Sequence, residues 1–274
     1  MPELPEVETV KRTLNELIID KKIEKVTVTL ARIIIKPDDV PLFSALLQGQ
    51  TFRSVHRRGK FLRLMLDDYT LVSHLRMEGK YGLYEADDAV DKHTHVIFHF
   101  TDGTELRYND VRQFGTMHLF AKDDDLSARP LSQLGLEPFA SDFTAASLTT
   151  LLQNKKSKIK SLLLNQSYVV GIGNIYADEI LYAANIHPER TADQLSQEDM
   201  QKLHTAIVAI LQEAVNKGGS SIKSYVNGQG EMGMFQQQLR VYGRKEEPCF
   251  TCGTPLNKIV VGGRGTHYCT QCQS

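Results

Sequence analysis

The chain has 274 residues, of which 41% are hydrophobic and 24% charged, a composition typical of a soluble globular protein. Its net charge of −1 argues against a protein that is basic over its whole surface, as many nucleic-acid-binding domains are. No apolar run approaches the roughly 18 residues of a membrane span, and the polar start does not resemble a signal peptide, so we expect residence in the cytoplasm.

The first half of the chain predicts one helix followed by many short strands. Residues 2–20 carry apolar side chains at helical spacing, including Val7, Val10 and Leu14. A second helix is predicted near residues 40–47. The predicted strands cover residues 25–35, 51–56, 61–66, 70–74, 96–100, 105–108 and 116–120. This order predicts a β-sandwich or barrel, over residues 1–130, with the first helix packed on it.

The second half predicts helices, then a glycine-rich loop and a small cysteine module. Residues 131–141 are a predicted linker because they contain Pro138 and few periodic apolar positions. A helical domain is predicted over residues 142–237, and the cysteine module over 238–274. The predicted helices cover residues 145–153, 159–165, 176–184 and 197–216. The loop of residues 217–237 holds five glycines, and loops of this length in compact domains are often functional.

The near-zero net charge conceals an uneven distribution of charges. Residues 53–63 contain five Lys or Arg residues and no acid, whereas acids are concentrated at residues 85–91 and 123–125. A nearly neutral protein with segregated charges can still present a basic face. A nucleic-acid partner therefore remains compatible with the composition.

The four cysteines predict a metal site. Cys249 and Cys252 form one C-x-x-C pair, and Cys269 and Cys272 form a second pair after sixteen intervening residues. This spacing is typical of four-cysteine zinc sites, and four thiolates close the tetrahedron, which predicts a structural zinc ion. Residues 260–267 between the pairs predict two strands joined by a glycine turn, with Arg264 at its tip, a position suited to a phosphate.

The residues after Met1 allow a chemical interpretation and a structural one. If Met1 is removed, Pro2 becomes a secondary amine that can attack an electrophilic carbon, and Glu3 beside it could transfer a proton. An α-amino group has a pKa of about 7.7–8.0, so part of it is unprotonated near neutral pH. The structural alternative is that proline and acidic residues simply suit the start of a helix.

Three further motifs are ambiguous when taken singly. Residues 74–80 read either as a strand end with a polar turn or as a functional loop, and residues 110–115 read either as a turn with one buried Phe or as a functional loop. In residues 170–176 a glycine turn opens a helix, whose free N–H groups could hold a phosphate. A tight corner between two helices explains that turn equally well.

Taken together, the motifs resemble those of bacterial formamidopyrimidine-DNA glycosylases, also called 8-oxoguanine DNA glycosylases. The resemblance keeps the order of the motifs over nearly the whole chain. It involves residues 2–9, 57–60, 74–79, 171–176 and 263–266 and the four cysteines. It implies an α+β fold of two domains: an N-terminal β-sandwich with the N-terminal helix, and a C-terminal helix–two-turn–helix domain with a four-cysteine zinc-finger hairpin.

The resemblance also implies an activity and its catalytic residues. The family excises oxidised purines, such as 8-oxoguanine and formamidopyrimidines, from duplex DNA and then cleaves the strand by β- and δ-elimination. By analogy, Pro2 forms a Schiff base with the sugar, Glu3 protonates the opening sugar, and Lys60 donates the proton in β-elimination. Arg264 matches the residue assigned to δ-elimination and to holding a phosphate.

The remaining site residues are also carried over from the family. Met77, Arg112 and Phe114 match the trio that fills the space left by a flipped base. The expected phosphate contacts are His93, Lys155, Asn174 and Tyr242, with His74 and Lys258 as weaker ones. The residues 217–237 match a lid over the damaged base, and the expected base contacts are Glu78, Ser220, Ile222, Lys223, Ser224 and Tyr225.

The chain departs from common family patterns at two places. Gln113 stands where a Lys or Arg usually follows the matching arginine, which removes one cation near the DNA and predicts a slightly weaker attraction to phosphates. Lys223 and Ser224 replace the Arg-Thr of some relatives, which puts the contacts of the base lid in doubt.

Alternatives differ in the chemistry that they require. An endonuclease VIII-type glycosylase would act on oxidised pyrimidines and shares Pro2, Glu3 and the zinc finger, but typically lacks the long lid. A non-catalytic zinc-ribbon DNA-binding protein would need the four cysteines and basic residues but no free Pro2, no Glu3 and no Lys60. An RNA-binding zinc protein is disfavoured by the near-neutral charge and by the composition of the chain start. The expected partner is double-stranded DNA carrying an oxidised purine, bound by a monomeric, nucleoid-associated protein with no membrane attachment.

Overall fold

The structure is a computed structural model and describes residues 1–220 and 234–274. Met1–Gln133 together with residues 218–220 form one unit, and Leu134–Lys217 together with Met234–Ser274 form a second unit. Within these described ranges, no helix has both the length and the apolar character needed to cross a membrane.

The first unit is a β-sandwich of nine strands and two helices. The helices are α1 (Leu4–Leu17) and α2 (Val40–Leu47). The strands are β1 (Ile23–Val28), β2 (Ile34–Lys36), β3 (Ser54–Arg58), β4 (Phe61–Met65), β5 (Tyr69–His74), β6 (Lys80–Glu85), β7 (Thr94–Phe100), β8 (Thr104–Asn109) and β9 (Thr116–Ala121). One sheet has the order β1-β7-β8-β6, and the other has the order β2-β9-β5-β4-β3. All neighbouring strands are antiparallel except β2 and β9.

Helix α1 belongs to the core of this unit. Val7, Val10 and Leu14 recur at helical spacing and are buried in one apolar cluster with side chains from both sheets. Asn15 attaches the helix to β3, since its Oδ1 accepts from the backbone N–H of Val55 at 2.9 Å and its Nδ2 donates to the Val55 carbonyl at 2.8 Å. The last turn of α1 is thereby held against β3.

The sequence-based prediction was wrong for three strands of the sandwich, β1, β2 and β6. The predicted strand 25–35 is broken by a short 3₁₀ turn at Ala31–Ile33, so that β1 and β2 lie in different sheets. Strand β6 was not predicted, because Gly82 and the terminal Lys80 and Glu85 lower its apparent β-propensity. Pairing of β6 with β8 supplies the stabilisation that the local sequence lacks.

The second unit packs helices around one buried helix and ends in a hairpin. Its elements are α3 (Ala145–Leu152), α4 (Ile159–Leu164), α5 (Asn174–Ala183), α6 (Gln197–Asn216), β10 (Asn257–Val261) and β11 (Arg264–Tyr268). All residues of α5 from Ile175 to Tyr182 are buried. The hairpin turns at Gly262 and Gly263, whose positive φ values of 56° and 74° favour glycine. This matches the predicted glycine turn, with Arg264 as the first residue after it.

Candidate active site and nucleic-acid interface

The first turn of α1 is buried and hydrogen-bonded. Pro2 is buried, and Glu3 is only 2% exposed. The backbone N–H of Glu3 donates to Glu6 Oε2 at 2.8 Å, and Glu6 Oε1 accepts from the backbone N–H of Ser220 at 2.7 Å. The Glu6 carboxylate therefore binds two of the predicted site segments at once, the chain start through Oε2 and residue 220 through Oε1.

Lys60 lies in the tight turn between β3 and β4. It is 6% exposed and follows Gly59, whose φ of 57° is in the left-handed region. Arg57 donates from Nη1 to the Gly59 carbonyl at 2.9 Å and from Nε to Glu8 Oε2 of α1 at 3.1 Å. The turn that carries this buried lysine is thus tied to the helix that begins with Glu3.

His74 ends β5 and is paired in register with Phe61, the residue after Lys60. Burial, together with the nearby positive charges of Arg76 and Lys60, lowers the pKa of His74 to about 3. Its Nδ1 accepts from the backbone N–H of Arg76 at 2.9 Å, so the neutral ring carries its proton on Nε2. His74 can therefore donate one hydrogen bond to a phosphate but brings no positive charge.

The three side chains expected to enter DNA lie on two exposed loops of the first unit. Met77 is 37% exposed and Phe114 is 53% exposed, high values for large apolar side chains. The Arg112 guanidinium lies 5.1 Å from the centroid of the Phe114 ring. The Gln113 side-chain oxygen accepts from Arg32 Nη2 at 2.5 Å, so a guanidinium from another part of the chain lies beside this neutral residue.

Other predicted residues of this unit lie near the same loops or outside the described residues. The carbonyl of His93 accepts from the backbone N–H of Asp110 at 3.0 Å, at the start of the Arg112 loop. Glu78 is partly buried and follows Met77 directly. Among the predicted base contacts, Ser220 is described, whereas Ile222, Lys223, Ser224 and Tyr225 lie outside the described residues.

In the second unit, β11 gathers three of the predicted phosphate contacts around Arg264. The amide Nδ2 of Asn174, at the start of α5, donates to the carbonyl of Gly265 at 3.0 Å. The aliphatic stem of Lys258 lies against Gly265, since its Cε would be 3.1 Å from a Cβ placed there. Tyr242 packs edge-on against the ring of His267, with centroids 5.2 Å apart. Lys155 lies elsewhere in this unit, 5.7 Å from the centroid of the Tyr168 ring.

A buried ion pair fixes β11 to α4 and α5. Lys160 and Asp178 are both fully buried, and Lys160 Nζ lies 2.6 Å from Asp178 Oδ1. The ammonium also donates to Thr266 Oγ1 at 2.8 Å, and Asp178 Oδ2 accepts from the backbone N–H of His267 at 2.8 Å. The strand that begins with Arg264 is thereby held by charge-assisted hydrogen bonds, which are stronger than neutral ones.

Glu179, next to Asp178, holds the segment that carries Tyr242. Its carboxylate accepts from the backbone N–H groups of Arg240, Val241 and Tyr242 at 2.8–3.0 Å. Burial raises the pKa of Glu179, although these three hydrogen bonds act in the opposite direction. Two adjacent acids of α5 thus position two separate segments, those of β11 and of Tyr242.

Sequence reasoning did not identify Lys160, Asp178 or Glu179 as site-building residues. The sequence does contain a sign of their role, because all three residues are charged and stand within helices whose other residues are mostly apolar. A charge at a core-facing position is uncommon unless it has a partner.

The four cysteine sulfurs form a metal site of the right size. They lie within 4.8 Å of one another, with 3.9 Å between Cys249 and Cys272 and 3.5 Å between Cys252 and Cys269. Zn–S bonds of about 2.3 Å in a tetrahedron require sulfurs about 3.8 Å apart. The hydroxyl of Tyr182 lies 3.2 Å from Cys249 Sγ and supports one ligand from outside the site.

Three family models match the chain in order. They describe the formamidopyrimidine-DNA glycosylase N-terminal domain over residues 1–117, its H2TH domain over residues 134–226, and a zinc finger found in FPG and IleRS over residues 246–274. The chain belongs to the formamidopyrimidine-DNA glycosylase family. The resemblance and the fold class expected from the sequence are confirmed, and the four cysteines hold one structural zinc ion.

Individual members of the formamidopyrimidine-DNA glycosylase family resemble the chain over its full length. The formamidopyrimidine-DNA glycosylase of Cytobacillus firmus is 63% identical over 273 residues, which cover 100% of both chains. Two crystal structures of the Lactococcus lactis Fpg protein are each 42% identical over 100% of both chains. One, a complex with DNA containing N7-benzyl-Fapy-dG, has a TM-score of 0.94, and the other, with DNA containing an oxidised pyrimidine, has a TM-score of 0.93.

Proposed function

We propose that this protein excises oxidised purines from duplex DNA through a Schiff base formed by Pro2 and then cleaves the strand by β- and δ-elimination. The observation that carries the proposal is the buried first turn of α1. A nucleophile and an acid used in catalysis need a fixed geometry, and the hydrogen bond from the Glu3 backbone to Glu6 provides it there. The protein is thus a DNA repair glycosylase with lyase activity.

The chemistry begins with removal of Met1, because Pro2 is an amide until its nitrogen becomes the chain terminus. The secondary amine attacks C1′ of the damaged nucleotide, and the base leaves with the electron pair of the broken N-glycosidic bond. Glu3 gives a proton to the ring oxygen, the bond between C1′ and that oxygen breaks, and the proline nitrogen loses its proton as it forms an iminium link to C1′. The iminium acidifies the neighbouring sugar carbon, which loses a proton to water as the 3′ phosphate leaves by β-elimination, with Lys60 as the proton donor to that phosphate. Loss of a second sugar proton to water lets the 5′ phosphate leave by δ-elimination, in which Arg264 acts.

The damaged base must leave the stack before Pro2 can reach the sugar. Phe114 inserts between base pairs as apolar side chains do in proteins that kink DNA, Arg112 pairs with the orphaned cytosine, and Met77 occupies the vacated space. Their exposure on two loops supports these roles, because side chains that enter DNA must project from the protein surface.

The duplex is held mainly through its phosphates. Arg264 and Lys258 supply positive charge, and Asn174 and Tyr242 supply hydrogen bonds, all beside the same strand β11. His93, Lys155 and the neutral His74 add further phosphate contacts. The flipped base is recognised by Glu78 and Ser220 and, in the part of the chain outside the described residues, by Ile222, Lys223, Ser224 and Tyr225.

The assembly and location follow from this activity. We assign the protein to the bacterial cytoplasm beside the nucleoid, where its duplex substrate lies, and propose that it acts as a monomer. We propose four functional segments in the chain. They are a catalytic domain over residues 1–130, a linker over 131–141, a helical domain over 142–237 with its lid loop, and a zinc finger over 238–274.

Borohydride trapping tests the proposed chemistry. Reduction of the iminium should join the mature protein covalently to duplex DNA that contains 8-oxoguanine opposite cytosine. Pro2→Gly should sharply reduce the trapped fraction, and Glu3→Gln should block base excision while leaving DNA binding intact. Pro5→Ala, which changes the other proline near the chain start, in the first turn of α1, is the matched control and should trap as the unaltered protein does.

The outcomes separate the proposed function from its competitors. Efficient trapping by Pro2→Gly would mean that a lysine is the nucleophile. Binding without any trapping in the mature protein would favour a non-catalytic DNA binder. Because the Lactococcus lactis relative has been crystallised with DNA containing an oxidised pyrimidine, the same assay should include such a lesion; faster excision of the pyrimidine than of 8-oxoguanine would favour the endonuclease VIII-type activity.

A further inference from the structure

One buried tyrosine hydroxyl lies against both loops that carry the inserting side chains. Tyr108 of β8 is 0% exposed. A Cβ placed at Gly79, two residues after Met77, would lie 2.3 Å from the Tyr108 hydroxyl oxygen, and one at Gly115, directly after Phe114, would lie 1.7 Å from it. Both distances are far shorter than van der Waals contact. The hydroxyl therefore fills the space that a side chain at either glycine would need.

A buried carboxylate organises the second loop from within. Asp110 is 1% exposed, and its Oδ2 accepts from the backbone N–H groups of Phe114 at 2.9 Å and Gly115 at 2.8 Å. Its Oδ1 accepts from the backbone N–H of Arg112 at 3.1 Å. The Tyr108 hydroxyl donates to the same Oδ2 at 3.4 Å. Three backbone donors of the loop and the tyrosine thus converge on one side chain.

The backbone of the loop is fixed on its other side as well. The Asp110 carbonyl accepts from the ring Nε2 of the buried His95 at 3.0 Å and from the backbone N–H of Gln113 at 3.2 Å. Gln113 itself has a φ of 58°, in the left-handed region that residues other than glycine seldom occupy. A conformation of this kind persists only where the surroundings impose it.

We propose that Tyr108 and Asp110 are positioning residues that lock the Met77 loop and the Arg112–Phe114 loop into one geometry. The inserting side chains then enter the duplex together, without the entropy cost of ordering two independent loops on binding. Both residues are buried and act through their neighbours. The inference rests on the proposed roles of Met77, Arg112 and Phe114 and adds the coupling between their loops.

The test uses two conservative variants, Tyr108→Phe and Asp110→Asn. Insertion is read from the fluorescence rise of 2-aminopurine placed beside a tetrahydrofuran abasic analogue, a duplex that reports unstacking without any chemistry. Excision is the single-turnover release of 8-oxoguanine. Asp110→Asn should lower both the rate of the fluorescence rise and the rate of 8-oxoguanine release by about tenfold, since the variant loses charge-assisted hydrogen bonds. Tyr108→Phe removes only a weak hydrogen bond, and about threefold is expected.

A readout that needs no insertion distinguishes positioning from general damage. The rate of strand cleavage at a preformed abasic site in single-stranded DNA should stay within about twofold of that of the unaltered protein in both variants, because no base has to be flipped. Gly115→Ala should impair insertion strongly, and Tyr108→Phe in the same protein should restore part of it by removing the nearest clashing atom.

Tyr81→Phe is the matched control. Tyr81 is also buried in this core, its ring centroid lies 5.1 Å from that of Tyr108, and its hydroxyl donates to Ser73 Oγ at 2.7 Å. The variant loses a buried tyrosine hydroxyl outside the two loops. It should insert and excise like the unaltered protein.

The outcomes separate this inference from the proposed function. If Phe114→Ala leaves both insertion and excision intact, the proposed role of the loop is wrong. If Phe114→Ala reduces them while Tyr108→Phe and Asp110→Asn behave like Tyr81→Phe, only the inference is wrong. Should Asp110→Asn fail to fold, Tyr108→Phe and its rescue of Gly115→Ala decide, and absence of both effects overturns the inference.

Discussion

The buried pair of Lys160 and Asp178 provides the sharpest test of how the zinc hairpin is held. In Asp178→Leu, the ammonium of Lys160 keeps its hydrogen bonds to Thr266 Oγ1 and the Gly265 carbonyl but loses its counter-charge at 2.6 Å. The backbone N–H of His267 loses its acceptor in the same variant. We expect the hairpin and α5 to become less stable, and β11 with Arg264 to lose its fixed position.

The size of the effect follows from the burial of both side chains. Both are 0% exposed, so water cannot replace the missing partner. Breaking a buried pair by removal of one partner costs about 3–5 kcal/mol, whereas replacing both partners by apolar residues of similar volume is often nearly neutral. Lys160→Met and Asp178→Leu should therefore each be destabilising, and the double variant should lose clearly less than the sum of the two.

Amide hydrogen exchange of peptides from α5 and from β10–β11 measures this effect locally. It avoids the assumption that the two units unfold together, and it reports the opening free energy of each segment. Affinity for a duplex with an abasic analogue is measured in parallel, because the proposed phosphate contact of Arg264 requires β11 to stay in place. Both affinity and protection should fall in the single variants.

A surface ion pair close to Lys160 in sequence provides the control. Lys158, two residues before Lys160, pairs with Glu189 on the surface, where the two side chains are 45% and 40% exposed. Lys158→Met should change the opening free energy by less than about 1 kcal/mol. If Lys160→Met is equally mild, or if the effects of Lys160→Met and Asp178→Leu simply add, the pair does not hold the hairpin in the way described.

Two further predictions concern protonation and metal. His74 has a pKa of about 3 when folded against about 6.5 when unfolded, so the unfolded chain binds a proton that the folded chain does not, and stability falls as the pH falls from about 6.5 towards 3. By pH 5 this contribution should amount to about 2 kcal/mol relative to pH 7, and urea unfolding of His74→Asn, which keeps an acceptor for Arg76, should lack it. Removal of zinc by a chelator should abolish exchange protection of β10–β11 and weaken duplex binding more than about tenfold, since structural zinc supplies folding free energy.

The controls for these two are simple. An equal pH dependence in His74→Asn and in the unaltered protein would show that His74 is not the group responsible. For the metal, re-addition of one equivalent of zinc should restore binding, and full duplex binding by metal-free protein would contradict the structural role of the site.

The local sequence was sufficient to predict the bounds of elements that are stabilised by their own residues. The bounds predicted for the helices at 40–47 and 197–216 match α2 and α6, both of which have an N-cap side chain that accepts from the third helical residue. The cysteine spacing likewise predicted the metal site, because two C-x-x-C pairs joined by a short hairpin are a pattern typical of four-cysteine zinc sites. The break between β1 and β2 was missed, since nothing in residues 25–35 reveals that two sheets share them.

The sequence by itself determined the zinc ligands and the order of motifs that places the chain in its family, and it predicted the roles of Pro2 and Glu3. Only the tertiary structure decided which residues hold that chemistry in place. The hydrogen bonds that do so join residues far apart in sequence. The separation is 214 residues for Glu6 and Ser220, 106 for Lys160 and Thr266, and 89 for Asp178 and His267. The local pattern around a residue records its own preferences, and a buried charge acquires its partner only when distant segments pack together.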